Sequence, residues 1–202
     1  MLGVLCGCFE IMRFRMGMTM RFIGRVDGRF GWMAAGLIAV SAAAVQAQGA
    51  PKEIKVPIMT ATGQDAGYAQ FKTVKGGVQL KLELENLPPG EHGVHIHQKP
   101  VCDAPEFKGA GGHFNPDGKM HGYMNPGGHH NGDLPSNVTV GANQKGHATF
   151  VLTSISLDPS APNSLFLNGG TAIVVHAGPD DEKTDPSGNS GGRIACGVIK
   201  QP

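Results

Sequence analysis

Val78-Gln79-Leu80-Lys81-Leu82-Glu83-Leu84-Glu85 decides the fold class of this chain. One valine and three leucines alternate strictly with polar or charged residues, a period of two that leaves one face apolar and the other wet. That is the pattern of a half-buried β-strand. Gly76-Gly77 in front of it is a two-residue hairpin signal, and Asn86-Leu87-Pro88-Pro89-Gly90 breaks the strand behind it. Working outward, Ile54, Val56 and Ile58 alternate as a first strand, and residues 68–75 form a second around Phe71. Residues 92–98 read as the fourth strand, followed by 138–140, 147–153, the β-branched apolar run 171–176, and 193–200. Two irregular segments, 98–135 and 177–192, interrupt the series. Eight short strands and no helix predict an all-β antiparallel sandwich or barrel with two long functional loops.

The first of those loops and the strand before it hold most of the histidines. Seven of the chain's nine lie among residues 90–133, in His92-Gly93-Val94-His95-Ile96-His97, Gly112-His113-Phe114, His121 and His129-His130-Asn131-Gly132-Asp133. Histidine is the commonest metal ligand. His95 and His97 are two apart on one strand, so both imidazoles point to the same face and reach one ion, while Ile96 turns to the other. His176, at the end of a distant strand, is a third nitrogen for that ion or a structural histidine. His121, His130 and Asp133, with His113 upstream, form a closed set of three nitrogens and one carboxylate suited to tetrahedral zinc.

Residues 1–47 differ in kind. Five arginines (Arg13, Arg15, Arg21, Arg25, Arg29) precede the apolar, small-residue run 31–45, which ends in Val45-Gln46-Ala47. That is a secretory signal peptide with an A-x-A-like cleavage site. The run has 15 residues, too few for a membrane anchor, which needs about 20. Met12, Met16, Met18 and Met20 offer alternative starts, which would make residues 1–19 an over-extended N-terminus. The mature domain, residues 48–202, keeps 12 of the 17 basic and 14 of the 16 acidic residues. A chain so close to neutral is not a nucleic-acid or membrane-surface binder. Cys102 and Cys196 remain, and in an exported chain, periplasmic or extracellular, an even pair reads as a disulfide rather than as two buried thiols.

Together these residues resemble the secreted copper/zinc superoxide dismutases of bacteria. The matching pieces are His92-Gly93-Val94-His95-Ile96-His97, Gly112-His113-Phe114-Asn115-Pro116, His121-Gly122, His130-Asn131-Gly132-Asp133-Leu134-Pro135, Val174-Val175-His176 and Gly192-Arg193-Ile194-Ala195-Cys196-Gly197-Val198-Ile199. The resemblance implies an eight-stranded Greek-key β-sandwich. It implies copper on His95, His97, His113 and His176, and zinc on His113, His121, His130 and Asp133. His113 would join the two as an imidazolate and supply a proton to the product. Asp180, with Asp181 as its neighbour and alternative, would accept hydrogen bonds from one histidine of each set. Arg193, otherwise an ordinary surface ion-pair residue, would dock the anionic substrate. His130 fills the ligand position because it stands three before Asp133; His129 is its alternative. His92 would bond backbone, and His147 would lie at the surface. The implied activity is the conversion of superoxide to oxygen and hydrogen peroxide by alternate reduction and oxidation of copper. The resemblance is also compatible with a homodimer.

Two other classes compete with that reading. A non-catalytic metal-storage domain would lack a copper ligand or Arg193, and neither is missing. A zinc hydrolase needs an open zinc position and a general base, whereas the zinc set here is already four-coordinate. One feature runs against an anionic substrate: the second loop is acidic, with Asp180, Asp181, Glu182 and Asp185. Any steering field must come from Lys99, Lys108 or Lys119 of the first loop.

Overall fold

Alternating apolar residues become one wall of a barrel in the computed structural model, which describes residues 49–202. The signal-peptide expectation for residues 1–47 lies outside the described residues. Among the described residues there are nine antiparallel strands: β1 Glu53–Thr60, β2 Asp65–Val74, β3 Gly77–Glu85, β4 Gly90–His92, β5 Val94–His97, β6 Val138–Val140, β7 Lys145–Leu152, β8 Thr171–His176 and β9 Arg193–Ile199. Among the described residues the only helical elements are two 3-10 turns, Lys108–Ala110 and Leu167–Gly169. None of these is long and apolar enough to cross a membrane. The strand order is β4-β6-β7-β3-β2-β1-β9-β8-β5. Its two ends, β4 and β5, are consecutive in the chain and separated only by Gly93, so the sheet curls until its edges meet.

The register carries the apolar pattern around the wall. Ile54 faces Phe71, Phe71 faces Leu80, and Leu80 faces Phe150, a continuous row across β1, β2, β3 and β7. Val78, Leu80, Leu82 and Leu84 are buried, as their alternation requires. The β2–β3 hairpin turns on Lys75-Gly76 rather than Gly76-Gly77, because Gly77 already pairs with Val74.

The expected fourth strand is two strands. His92 pairs with Val138 on one side of the barrel, and Val94 pairs with Val175 on the other. Gly93 makes the crossing: its N–H donates to Gly178 O at 2.9 Å, and its carbonyl accepts the His176 N–H at 2.9 Å. A Cβ there would lie 3.0 Å from Ser190 Cβ and 3.2 Å from Asp180 Cβ, so glycine lets the barrel edge meet the second loop. Hydrophobic periodicity cannot see such a change of partner, because the extended backbone continues through it.

Strand β8 is buried on both faces. Ile173 and Val175 face the barrel core. Ala172 and Val174 pack outward against Phe107, Ala110 and Cys196, with Cys102 beside them. Burying Phe107 contributes about 1.5–3 kcal/mol to holding the first loop on β8. The Cys102–Cys196 disulfide pins the same patch, with Cα atoms 5.7 Å apart.

Candidate metal centre

The site is assembled at the edge of β5. Its strand partner on one side is β8. On the other side, the first loop folds back onto it: Phe114 N–H donates to Ile96 O, and Ile96 N–H to Gly132 O, both at 2.8 Å. Backbone bridges then set His113 opposite His97 and Asp133 opposite His95. His176 joins them as the last residue of β8. Six histidines and one aspartate thus come together from positions 81 residues apart, as two four-donor sets. One is His95, His97, His113 and His176; the other is His113, His121, His130 and Asp133; all are buried.

Outer hydrogen bonds fix which nitrogen of each ring faces inward. His97 Nδ1–H donates to Gly111 O at 2.9 Å, and His176 Nδ1–H to Gly191 O at 3.2 Å. His95 Nε2–H donates to Asp180 Oδ2 at 2.6 Å. The inward nitrogens are His97 Nε2 and His176 Nε2, 3.4 Å apart, and His95 Nδ1 and His113 Nε2, which are buried without any hydrogen-bond partner. An unpartnered buried nitrogen costs free energy unless something answers it. Ligating histidines commonly donate their other N–H to a carboxylate or carbonyl, and these rings do so.

The second set converges on one carboxylate oxygen. Asp133 Oδ1 lies 2.8, 3.2 and 3.3 Å from Nδ1 of His113, His121 and His130. Asp133 Oδ2 is held by the N–H groups of Gly122 and His130, both at 2.9 Å. Asp180 joins the sets, bonding His95 and also His121 Nε2, the latter at 3.0 Å. Asn137 grips Asp180 by its backbone, accepting its N–H at 2.7 Å and donating to its carbonyl at 2.9 Å.

These contacts decide the charges of the metal-free site. Burial pushes His95 down to about 3 and His176 to about 4. His97 and His113 are lowered by burial too. Burial also opposes charge on His121, but its bonds to Asp133 and Asp180 outweigh it and raise the ring to about 10. Burial would raise Asp133 and Asp180, yet their histidine partners hold both well below the usual carboxylate range.

The metal-free protein is therefore expected to weaken in acid. Below about 6.5 the unfolded chain protonates histidines that the fold keeps neutral down to about 3 (His95) and about 4 (His176). The unfolded state then binds more protons, so stability falls as pH falls, by at most ~1.4 kcal/mol per pH unit for each such ring. His121 has the opposite sign: its contribution is complete below 6.5 and is lost as pH climbs through about 10. Urea titration of apo-protein should show its midpoint dropping between pH 6.5 and pH 4. A flat midpoint over that window would contradict the assignment of neutral rings.

Arg193 opens β9 opposite His176. Its guanidinium is clamped by the first loop, Nη1 donating to Phe107 O at 2.7 Å and Nη2 to Gly111 O at 2.6 Å. Gly111 O is also the acceptor of His97, so one carbonyl positions both side chains. The Arg193 charge helps depress His97 and His176, after burial and the neighbouring His113.

Other expected residues fall outside the cluster. His129 stacks on Tyr123 with ring centroids 3.8 Å apart, and its Nδ1–H donates to His130 O. Asp181 is exposed and accepts bonds from Lys183, Thr184 and Asn189 within its own loop. His147 lies on the exposed face of β7 opposite Glu83. His92 is buried against the carbonyls of His176 and Pro88. Lys108, a candidate for steering, sits 2.8 Å from Glu106. Asn137 and the Gly111 carbonyl were not found from sequence: neither has a spacing signal, and one of them is backbone.

A β-barrel with two adjacent nitrogen-rich donor sets that share one histidine is a protein built for two metal ions. Residues 65–199 match the copper/zinc superoxide dismutase (SODC) family. The chain is 47% identical over 146 residues to superoxide dismutase (Cu-Zn) 1 of Aquifex aeolicus strain VF5, covering 71% of this chain and 85% of that one. It is 43% identical over 140 residues to the Cu-Zn superoxide dismutase of Caulobacter vibrioides, covering 68% and 80%. The crystal structure of a SOD-like protein from Bacillus subtilis superimposes with a TM-score of 0.69 at 37% identity, covering 72% of this chain and 97% of that one. The chain belongs to the copper/zinc superoxide dismutase family. It is an enzyme of that family, and copper and zinc are its cofactors.

Proposed function

We propose that this chain is exported and dismutes superoxide, turning two superoxide anions and two protons into one dioxygen and one hydrogen peroxide. His95, His97, His113 and His176 would hold copper, and His113, His121, His130 and Asp133 would hold zinc, His113 belonging to both donor sets. The observation that carries this reading is the inward-facing nitrogens: His95 Nδ1 and His113 Nε2 are unpartnered, and His97 Nε2 faces His176 Nε2. Four imidazoles suit copper, and three with a carboxylate suit zinc. Bound copper supplies the one-electron chemistry, and bound zinc supplies a fixed positive charge. The residues do the rest. Asp180 and the carbonyls of Gly111 and Gly191 orient the rings through their outer nitrogens. His113 Nε2 is the buried atom that holds the proton delivered to peroxide. Arg193, fixed by two carbonyls, places a permanent positive charge next to His97 and His176 for the anion. Export to the periplasm or beyond rests on the arginine-rich, apolar N-terminal sequence and on the disulfide, which persists in oxidising compartments.

Arg193 separates an enzyme from a metal-binding domain of the same fold. Purified without chelators, both the wild type and Arg193→Ala should carry about one copper and one zinc per chain, because Arg193 belongs to neither donor set. The dismutation rate should fall one to two orders of magnitude in Arg193→Ala, ~1.4–2.8 kcal/mol of transition-state stabilisation. Arg193→Lys should lose less and Arg193→Glu most. Pulse radiolysis on metal-matched proteins reads the result; equal rates for wild type and Arg193→Glu would favour the storage domain.

A further inference from the structure

The acidic start of the second loop, Asp180-Asp181-Glu182-Lys183-Thr184-Asp185, stands beside a site for an anion. One of its carboxylates and two of its backbone carbonyls bond the first loop's backbone and Asn125. Asp185 Oδ1 accepts the His121 backbone N–H at 2.6 Å. Glu182 O accepts the Met124 N–H at 2.9 Å, and Lys183 O accepts Asn125 Nδ2 at 3.3 Å. The two loops meet at Gly122, whose φ is +90° and where a Cβ would lie 2.0 Å from Glu182 O. No residue with a side chain allows that approach.

His121 depends on this contact more than the other residues of its set. His113 and Asp133 are bridged to β5 through the backbone, and His130 is bonded to Asp133. Among the described residues, 119–124 make no backbone hydrogen bond to any strand; Met124 N–H goes to Glu182 instead. From the second loop His121 is held twice, its ring Nε2 by Asp180 and its backbone N–H by Asp185, while Asp133 of the first loop takes its Nδ1 and the adjoining Gly122 N–H.

We propose that Asp185 is a positioning residue for His121, and that its grip on the His121 backbone N–H is a latch between the two loops that sets the affinity of the zinc set. The proposal rests on the reading of His113, His121, His130 and Asp133 as that set. Asp185 touches no donor atom; it acts by fixing the backbone from which His121 projects. Two of the acidic residues next to an anion's site are accounted for in this way: the carboxylates of Asp180 and Asp185 answer N–H donors of His121 in the loop that carries the ligands.

The test uses full-length processed protein stripped of metal, with Co(II) as the zinc probe, since its visible spectrum reports tetrahedral coordination. Asp185→Ala should weaken Co(II) and Zn(II) binding on the order of 10- to 100-fold, the usual effect of losing a group that orients a ligand. It should also speed amide hydrogen exchange at His121 in the metal-free protein. Cu(II) binding to the other set should stay within a few-fold. Asp185→Asn keeps one acceptor oxygen and should recover most of the affinity; Asp181→Ala, on an exposed carboxylate that bonds only its own loop, should match wild type. Wild-type Co(II) affinity and His121 exchange in Asp185→Ala would overturn the latch alone. Equal loss of both metals with exchange accelerated throughout the barrel would also overturn it, by making Asp185 a general stability residue. Absence of tetrahedral Co(II) binding in the wild type would overturn the zinc-set reading and the latch with it.

Discussion

Replacement of His113 by alanine is expected to disable both donor sets at once. Its Nδ1 lies 2.8 Å from Asp133 Oδ1 and 3.3 Å from His130 Nδ1, while its Nε2 is buried on the other side with no partner. No other side chain belongs to both four-donor sets. Losing a group that merely orients a ligand costs on the order of 10- to 100-fold in metal affinity. Losing the ligand itself should cost at least about a hundredfold at each set, or ~2.7 kcal/mol each. The dismutation rate should fall further still, because His113 Nε2 is also the proposed proton carrier. The fold should survive: Asp133 keeps the Gly122 and His130 N–H groups, and the first loop keeps its backbone bonds to Ile96. His129→Ala and His147→Ala, outside both sets, are the controls and should retain metal. Metal stoichiometry after dialysis, with copper and cobalt spectra of reconstituted protein, decides the matter. Unchanged zinc affinity together with an unchanged copper spectrum would remove His113 from its shared position.

The His95–His97 pair was legible in the sequence, and the reason is local. His95 and His97 lie two apart on a strand, and strand geometry alone puts both imidazoles on one face. The barrel wall was legible for the same reason, since Val78 to Leu84 alternate without interruption and all four apolar residues are buried. The break at Gly93 was not. A strand that changes partners without turning keeps its extended backbone, so eight expected strands became nine. The union of the two sets depended on family resemblance, because no periodicity relates His113 to His176. The second loop was the least legible part. Its acids look unfavourable as a row of charges; the resemblance alone implied the bonds of Asp180 to two histidines, and only folded geometry shows Asp185 bonded to a backbone N–H. Asn137, which grips the Asp180 backbone, carries no pattern at all.

Removal of the Cys102–Cys196 disulfide, as the double alanine variant, is expected to cost the most stability of any change away from the metals. The bond joins residues 94 apart in sequence. For a loop of that length the chain-entropy model gives roughly 4–5 kcal/mol, through the freedom restored to the unfolded chain. With a urea m-value of about 2 kcal/mol/M, the midpoint should fall by about 2 M. The loss should be felt locally as well. Cys196 is three residues beyond Arg193 on β9, and Cys102 leads into the segment whose Phe107 and Gly111 carbonyls clamp the guanidinium. Phe107 and Ala110 stay packed on Ala172 and Val174, so the patch should loosen rather than detach. The proposed copper and zinc donors come from β5, β8, and residues 113–133 of the first loop, and neither cysteine is among them. A metal-loaded variant should therefore hold its ions under native conditions yet turn over more slowly, because Arg193 is less firmly placed. Urea titrations of the oxidised wild type and the double variant, with rates on metal-matched samples, test both halves. A stability loss below about 1 kcal/mol would show that packing of Phe107 against β8 alone holds the loop. A full stability loss with an unchanged rate would show that the two carbonyls hold Arg193 without help from the disulfide.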